Sequence, residues 1–235
     1  MAGDKHRLPS KAPPDEISAF IDKVARTPAV KAPGGRGRLI FAMDATASRE
    51  RTWDRACHIQ GEMFEETDAL GGLEVQLLFY RGFGECKSSP WMDSSDSLVR
   101  RMTSVRCLGG QTQLAKVLRH TLKETRNKKV DALVFVGDCM EEDVDRVCHL
   151  GGELGLAGVP MFIFHEGDDP AARKCFQQLG RLTNGACCRF DAASAHQLRK
   201  LLAAVAVYAA GGRRALEDYG KRAGETVLQI TRQVK

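Results

Sequence analysis

No run of this chain is long and apolar enough to suggest a membrane span: the longest, Leu201 to Ala210, is about half of the roughly 20 residues a spanning helix needs. The N-terminus has no apolar core of a secretion signal. Both absences point to a cytoplasmic protein. Cys-x-x-Cys spacing is also missing. Among Cys57, Cys86, Cys107, Cys139, Cys148, Cys175, Cys187 and Cys188 no pair has it, which argues against a zinc ribbon or a thioredoxin-like motif and for reduced, buried thiols. Aromatics make up only 6% of residues, and the formal charge of +5 does not lie on the body of the chain. Residues 1–38 carry +4 and residues 213–235 carry +3, which leaves residues 39–212 at −2. A nucleic-acid surface needs a basic stripe interleaved with aromatics, so the basic ends read as solvated tails. No Gly-x-Gly-x-x-Gly follows an apolar run. The Gly-rich stretch Pro33 to Arg38 precedes the first strand, whereas a phosphate loop follows one.

What is present is an ordinary globular composition, 43% hydrophobic and 28% charged over 235 residues, which suits one domain with tails. The chain is organised around Leu39 to Ser48. Leu39 to Met43 is an apolar run too short for a helix, and it suits a strand covered on both faces. Asp44 ends it. Arg49 to Thr67 then has helical apolar spacing at Trp53, Ala56, Cys57, Ile59, Met63 and Phe64. Asp44, Thr46 and Ser48 thus lie in a strand-to-helix turn, where extended backbone aims residues i, i+2 and i+4 the same way. One carboxylate and two hydroxyls at a common point suit a small hard cation.

Earlier in the chain, a Pro/Lys-rich arm gives way to an amphipathic helix over Asp15 to Arg26 with Ile17, Phe20, Ile21 and Val24 as its stripe. That stripe docks on its own domain or in a partner's groove. Further strands read at Leu73 to Phe83, Cys86 to Met92, Val130 to Val136, Val159 to Phe164 and Ala186 to Phe190, and Pro90 makes the second of these an edge strand. Helices read near Ser97 to Val105, Gln113 to Asn127, Asp143 to Leu156, Pro170 to Leu182 and Ser194 to Ala210, the last breaking at Gly211-Gly212. The alternation specifies an α/β fold: a doubly wound, mostly parallel six-stranded open sheet with an antiparallel edge strand and helices on both faces. Such a sheet binds ligands at the carboxyl ends of its strands, where strand order reverses. With order 3-2-1-4-5-6, the strand ending in Asp44 neighbours the one ending in Asp138, and the turn Gly109-Gly110-Gln111-Thr112 reaches the same edge.

Asp44-x-Thr46-x-Ser48, then Gly-Gly-x-Thr112, then an apolar strand ending in Asp138 resembles the metal-ion-dependent adhesion site (MIDAS) of von Willebrand factor A (VWA) domains, over about residues 38–207. The resemblance implies that Thr46 and Ser48 bind Mg²⁺ or Mn²⁺ directly, that Thr112 binds directly or through water, and that Asp44 and Asp138 act mostly through water. Three positions depart from the pattern. Thr46 stands where serine is commoner, Ala47 where glycine is frequent, and Gly137-Asp138-Cys139 where Thr-Asp-Gly is usual. All-oxygen ligands favour Mg²⁺ or Mn²⁺ over Zn²⁺. Two carboxylates only neutralise a divalent ion, so an acidic side chain of a partner can complete its shell.

The expectation is a non-enzymatic intracellular binding module. Residues 1–37 form an arm, short helix and linker, residues 38–210 the VWA-like domain and residues 211–235 a helical extension. One alternative is a metal-dependent phosphate or nucleotide hydrolase at the same edge, for which His165 is the only base in reach. Another is a metal-free adaptor that binds through its tails, with Ser48 and Thr112 merely capping helices. Three lesser patterns remain. Cys175 to Arg181 has Cys-x5-Arg spacing but sits in a helical stretch; His165-Glu166-Gly167-Asp168-Asp169 is a solvated loop or a source of acidic potential; Glu141 and Glu142 start a helix or tune the same field.

Overall fold

The computed structural model describes residues 19–20, 23–24, 36–59, 64–65, 71–190 and 195–233. Six strands, β1 (Gly37–Asp44), β2 (Leu73–Arg81), β3 (Glu85–Met92), β4 (Ala132–Gly137), β5 (Met161–Glu166) and β6 (Ala186–Phe190), form one sheet in the order β3-β2-β1-β4-β5-β6. Every pairing is parallel except β2 with β3, whose edge position accommodates Pro90. Helices α1 (Glu50–Ile59), α2 (Ser95–Thr103), α3 (Leu114–Asn127), α4 (Val144–Leu156), α5 (Pro170–Leu182) and α6 (Ala195–Gln233) complete the layers. The helix expected over Arg49 to Thr67 begins as a 3₁₀ turn, Ala47–Arg49, and continues as α1. Phe64 and Glu65 are helical too, and the other residues of that expectation lie outside the described residues.

Both faces of the sheet are covered, which is why the central strands are apolar without alternation. In β1, Leu39, Phe41 and Met43 pack with α1, α2 and α6, while Ile40 and Ala42 pack with α3, α4 and α5. Phe20 and Val24, helical and buried, join the first of these layers, and the Phe20 ring meets Phe162 and Phe164 edge-on at 6.2 and 5.5 Å. The amphipathic segment therefore docks on its own chain at these residues, each large apolar side chain contributing about 1.5–3 kcal/mol; Ile17 and Ile21 lie outside the described residues. The apolar run Leu201 to Ala210 is core as well, every residue of it buried. Among the described residues no helix is long and apolar enough to cross a membrane. α6 kinks at Gly212, whose φ of 72° leaves the helical region, and Leu216 and Tyr219 beyond the kink are still buried.

β1 continues through α1 to β2 on one side, and its other neighbour is β4. The carboxyl ends of β1 and β4 are thus the place where strand order reverses.

Candidate metal centre

Asp44 closes β1, opposite Tyr80 in β2, and is 1% exposed. One carboxylate oxygen accepts the Thr46 N–H at 2.7 Å and the other accepts the Tyr80 hydroxyl at 3.1 Å. Burial pushes the Asp44 pKa above its ordinary value; the bonds from Thr46 oppose this, Asp138 adds to it and Arg49 counters. The Tyr80 phenol, wholly buried, is pushed well up and stays a donor.

Thr46 keeps extended backbone, but Ser48 lies in the 3₁₀ turn. The two hydroxyls therefore converge because the chain turns, and not through strand alternation alone, as the sequence suggested. Thr46 Oγ1 and Ser48 Oγ are 3.3 Å apart, and the Ser48 hydroxyl donates to Asp138 Oδ2 at 3.1 Å. Gly137, which departs from the familiar pattern before Asp138, is required by space: a Cβ there would meet the Phe135 ring at 2.8 Å.

Thr112 reaches this edge by a close approach of two loops, in which Gly110 lies against the backbone of Gly82 with no room for a Cβ. It is 5% exposed and tied to the loop after Asp138: its N–H donates to Glu141 and its hydroxyl accepts the Glu141 N–H, each at 3.0 Å. No hydrogen bond joins Thr112 to Ser48 or Asp138, so four of the five expected ligands form one cluster and the fifth adjoins it through Glu141. Neither Ser48 nor Thr112 caps a helix. The start of α3 is instead held by Glu142, which accepts from the N–H groups of Leu114 and Ala115. Glu141 and Glu142 thus serve the beginning of α3 and its approach, while α4 is capped by Asp143, which accepts from Arg146 N–H at 2.7 Å.

Three residues of the site escaped sequence reasoning. Tyr80 is one. Arg49, only 2% exposed, pairs with Glu166 and brings Nη1 to 3.9 Å from Asp138 Oδ2. Thr52, one turn along, donates its hydroxyl to the same Glu166 oxygen at 2.6 Å. The only signal for this group was position, since Arg49 directly follows Ser48 and Glu166 ends β5.

The donor set fits a hard divalent ion. Asp138 Oδ1 is buried and has no hydrogen-bond partner. The 3.3 Å separation of the Thr46 and Ser48 hydroxyl oxygens is close to the edge of about 3.0 Å in an octahedron with bonds of about 2.0–2.1 Å. Among the described residues no three His, Cys, Asp or Glu side chains are grouped to hold a metal, so an ion at this edge would draw on hydroxyls.

The other constellations resolve differently. His165 is 1% exposed, packs edge-on against Phe176 and has Nε2 3.2 Å from the Asp138 carbonyl. Burial lowers its pKa, so the neutral ring donates to that carbonyl and orders the loop backbone. Cys175 lies mid-helix in α5 at 2% exposure, its thiol pushed up to about 12 by burial, and forms no phosphate cradle. The acidic loop divides its labour: Glu166 joins Arg49, Asp168 pairs with Arg173 and Arg189, and Asp169 caps α5. At the rim, Leu108 N–H donates to the carbonyl of Ala45, between Asp44 and Thr46. Leu108 is 48% exposed and Phe83, on the turn that Gly110 touches, is 86% exposed.

No protein-family model matches the chain, and no curated protein does. Solved structures do. The VWA domain of SpRpn10 superposes with a TM-score of 0.51 at 15% identity, over 67% of this chain and 88% of that one. The fold is that of a VWA domain. Proximal thread matrix protein 1 from the mussel byssus, with a zinc-occupied MIDAS motif, gives 0.58 at 12% identity over 76% of this chain. The pilus adhesin SpaC from Lactobacillus rhamnosus GG, in an open conformation, gives 0.59 at 11% over 82%. This VWA fold spans only 48% and 31% of those two proteins. At such identities the likeness is one of fold.

Proposed function

We propose that the chain is a non-enzymatic, cytoplasmic protein-binding module. It captures an acidic side chain of a partner through Mg²⁺ or Mn²⁺ held by Asp44, Thr46, Ser48, Thr112 and Asp138. The observation that carries this reading is the pair of Thr46 and Ser48 hydroxyl oxygens at octahedral-edge spacing, hydrogen-bonded through Ser48 to Asp138, whose other oxygen is buried with no hydrogen-bond partner. Thr46 and Ser48 bind the ion directly. Asp44, whose two oxygens already accept from Thr46 and Tyr80, acts through water, as does Asp138; Thr112 joins directly or through water. Exposed Phe83 and Leu108 on the same rim favour a protein partner over a small substrate. Residues 38–210 form the binding unit, and the ends are extensions packed onto it at Phe20, Val24, Leu216 and Tyr219.

Hydrolysis at this edge would need a base. His165 makes no hydrogen bond to the hydroxyls of Thr46, Ser48 or Thr112 and is committed to the Asp138 carbonyl. The test is a pull-down from native extract with Mg²⁺ and with chelator, using the wild type and Asp44→Ala with Ser48→Ala. A partner retained only by the wild type with Mg²⁺ is the expected result. Equal retention with chelator, or loss only when residues 1–12 are deleted, would overturn the reading in favour of a tail-mediated adaptor.

A further inference from the structure

Arg49 places a resident cation beside the proposed metal ligands. Its side chain is 2% exposed, Nη1 pairs with Glu166 and lies 3.9 Å from Asp138 Oδ2, and Nε and Nη2 have no hydrogen-bond partner. Each buried donor left unpaired is costly, and Arg49 leaves two, where Arg38 at the other end of β1 leaves only Nε. Charge gives Arg49 a use. Ionised Asp44, Asp138 and Glu166 carry three negative charges; Arg49 offsets one and leaves the two that match a divalent ion.

We infer that Arg49 and Glu166 regulate the charge of this site: the guanidinium holds cation affinity down beside Asp138, and Glu166 limits how far it does so. This rests on the metal reading above. A +1 charge next to a ligand carboxylate opposes a dication directly. The ion is then held loosely and stays electrophilic, and an incoming partner carboxylate supplies the negative charge that Arg49 removed. Cation and acidic partner bind interdependently, each raising the other's affinity.

A simple clamp, in which Arg49 only orients Asp138, predicts weaker metal binding when either partner is lost. Charge regulation predicts opposite signs. The experiment is calorimetric titration of the full chain with Mn²⁺ alone, for the wild type, Arg49→Met, Glu166→Gln, the double variant and Arg49→Lys. Arg49→Met should tighten Mn²⁺ by about 10-fold or more and Glu166→Gln should weaken it by about 3- to 10-fold, given Coulomb energies at short range. Arg49→Lys, which keeps the charge, should stay near the wild type. If Arg49→Met fails to fold because Glu166 is left without its countercharge, the double variant set against Glu166→Gln measures the same loss of charge. Weaker or unchanged binding on removing Arg49 in either background overturns the inference. Binding by the double variant with none by the wild type supports it while overturning the wild-type metal reading. No binding by any variant overturns both.

Discussion

Two arginines are buried at opposite ends of the same strand, Arg38 near the start of β1 and Arg49 just past its end, and they are treated differently. Arg38 lies over the Trp91 ring at 3.8 Å, and Nη1 donates to the carbonyls of Lys128 and Lys129. Glu74 and Glu124 flank it at 3.3 and 3.8 Å. Trp91 is itself fixed by Glu124 at 2.9 Å, and the Arg38 N–H by Asp131 at 2.9 Å. The Arg49 guanidinium has no carbonyl and no aromatic partner among the described residues; it has two carboxylates, and two of its nitrogens lack acceptors. The sheet pairs its buried guanidinium more fully where it needs only to hold together, leaving Nε alone without a hydrogen-bond partner. It pairs the other less fully at the edge where strand order reverses.

Removing Arg38 should break that comparison most violently. Arg38→Ala strips a stacked guanidinium from two partly buried carboxylates and is expected to cost about 2–4 kcal/mol of stability, somewhat below a fully buried pair. Denaturant unfolding measures this, and metal affinity should stay within about twofold of the wild type because the change lies at the far end of the strand. At the other end the pattern inverts. Asp138→Ala should weaken Mg²⁺ or Mn²⁺ binding by about 10- to 100-fold, the range for groups acting one shell out from a metal, with little loss of stability. Calorimetry that finds metal binding unchanged in this variant removes Asp138 from the site.

Tyr80→Phe takes one donor from buried Asp44 and should cost about 1 kcal/mol in chemical unfolding. A melt indistinguishable from the wild type would mean that Asp44 is satisfied without Tyr80. The thiols give a pH test of burial that needs no metal. Burial pushes Cys57, Cys86 and Cys107 up to about 11, and Cys175 up to about 12. Because the protonated form is favoured in the folded state, their contribution is fully present below the unfolded thiol value of about 8.5. It is lost as pH rises from there through the folded values. Stability should therefore fall in alkali, and these thiols should react slowly with a thiol reagent at pH near 8 until the protein is unfolded. The smallest expected effect is that of Phe83→Ala, within about 0.5 kcal/mol in stability because the side chain is exposed. Its signature would be weaker partner capture with metal affinity unchanged.

Much of the fold was legible because burial on both faces writes itself as continuous apolar runs. Leu39 to Met43 and the β4 and β5 segments had no competing helical reading of that length. Element ends moved by one to three residues, as for β2, expected to Phe83 and ending at Arg81. Within the site, Asp44, Thr46 and Ser48 could be read together because they are local in sequence. The bonds Tyr80 to Asp44, Arg49 to Glu166 and Glu142 to the start of α3 could not. Each joins residues far apart in the chain, and an arginine at the beginning of a helix looks like any solvated charge until the neighbouring strand is in place.

The central claim is that the carboxyl edge of β1 and β4 binds a divalent cation in the folded state. The most direct test is thermal unfolding of the full chain across a Mg²⁺ or Mn²⁺ series, beside the same series on Ser48→Ala and Asp138→Ala. The account predicts a wild-type Tm that rises with cation concentration, equivalent to about 2.7 kcal/mol at a hundredfold excess over Kd, and a smaller rise in both variants. Unfolding curves of the wild type that coincide in cation and in chelator, or an equal rise in all three proteins, would contradict it.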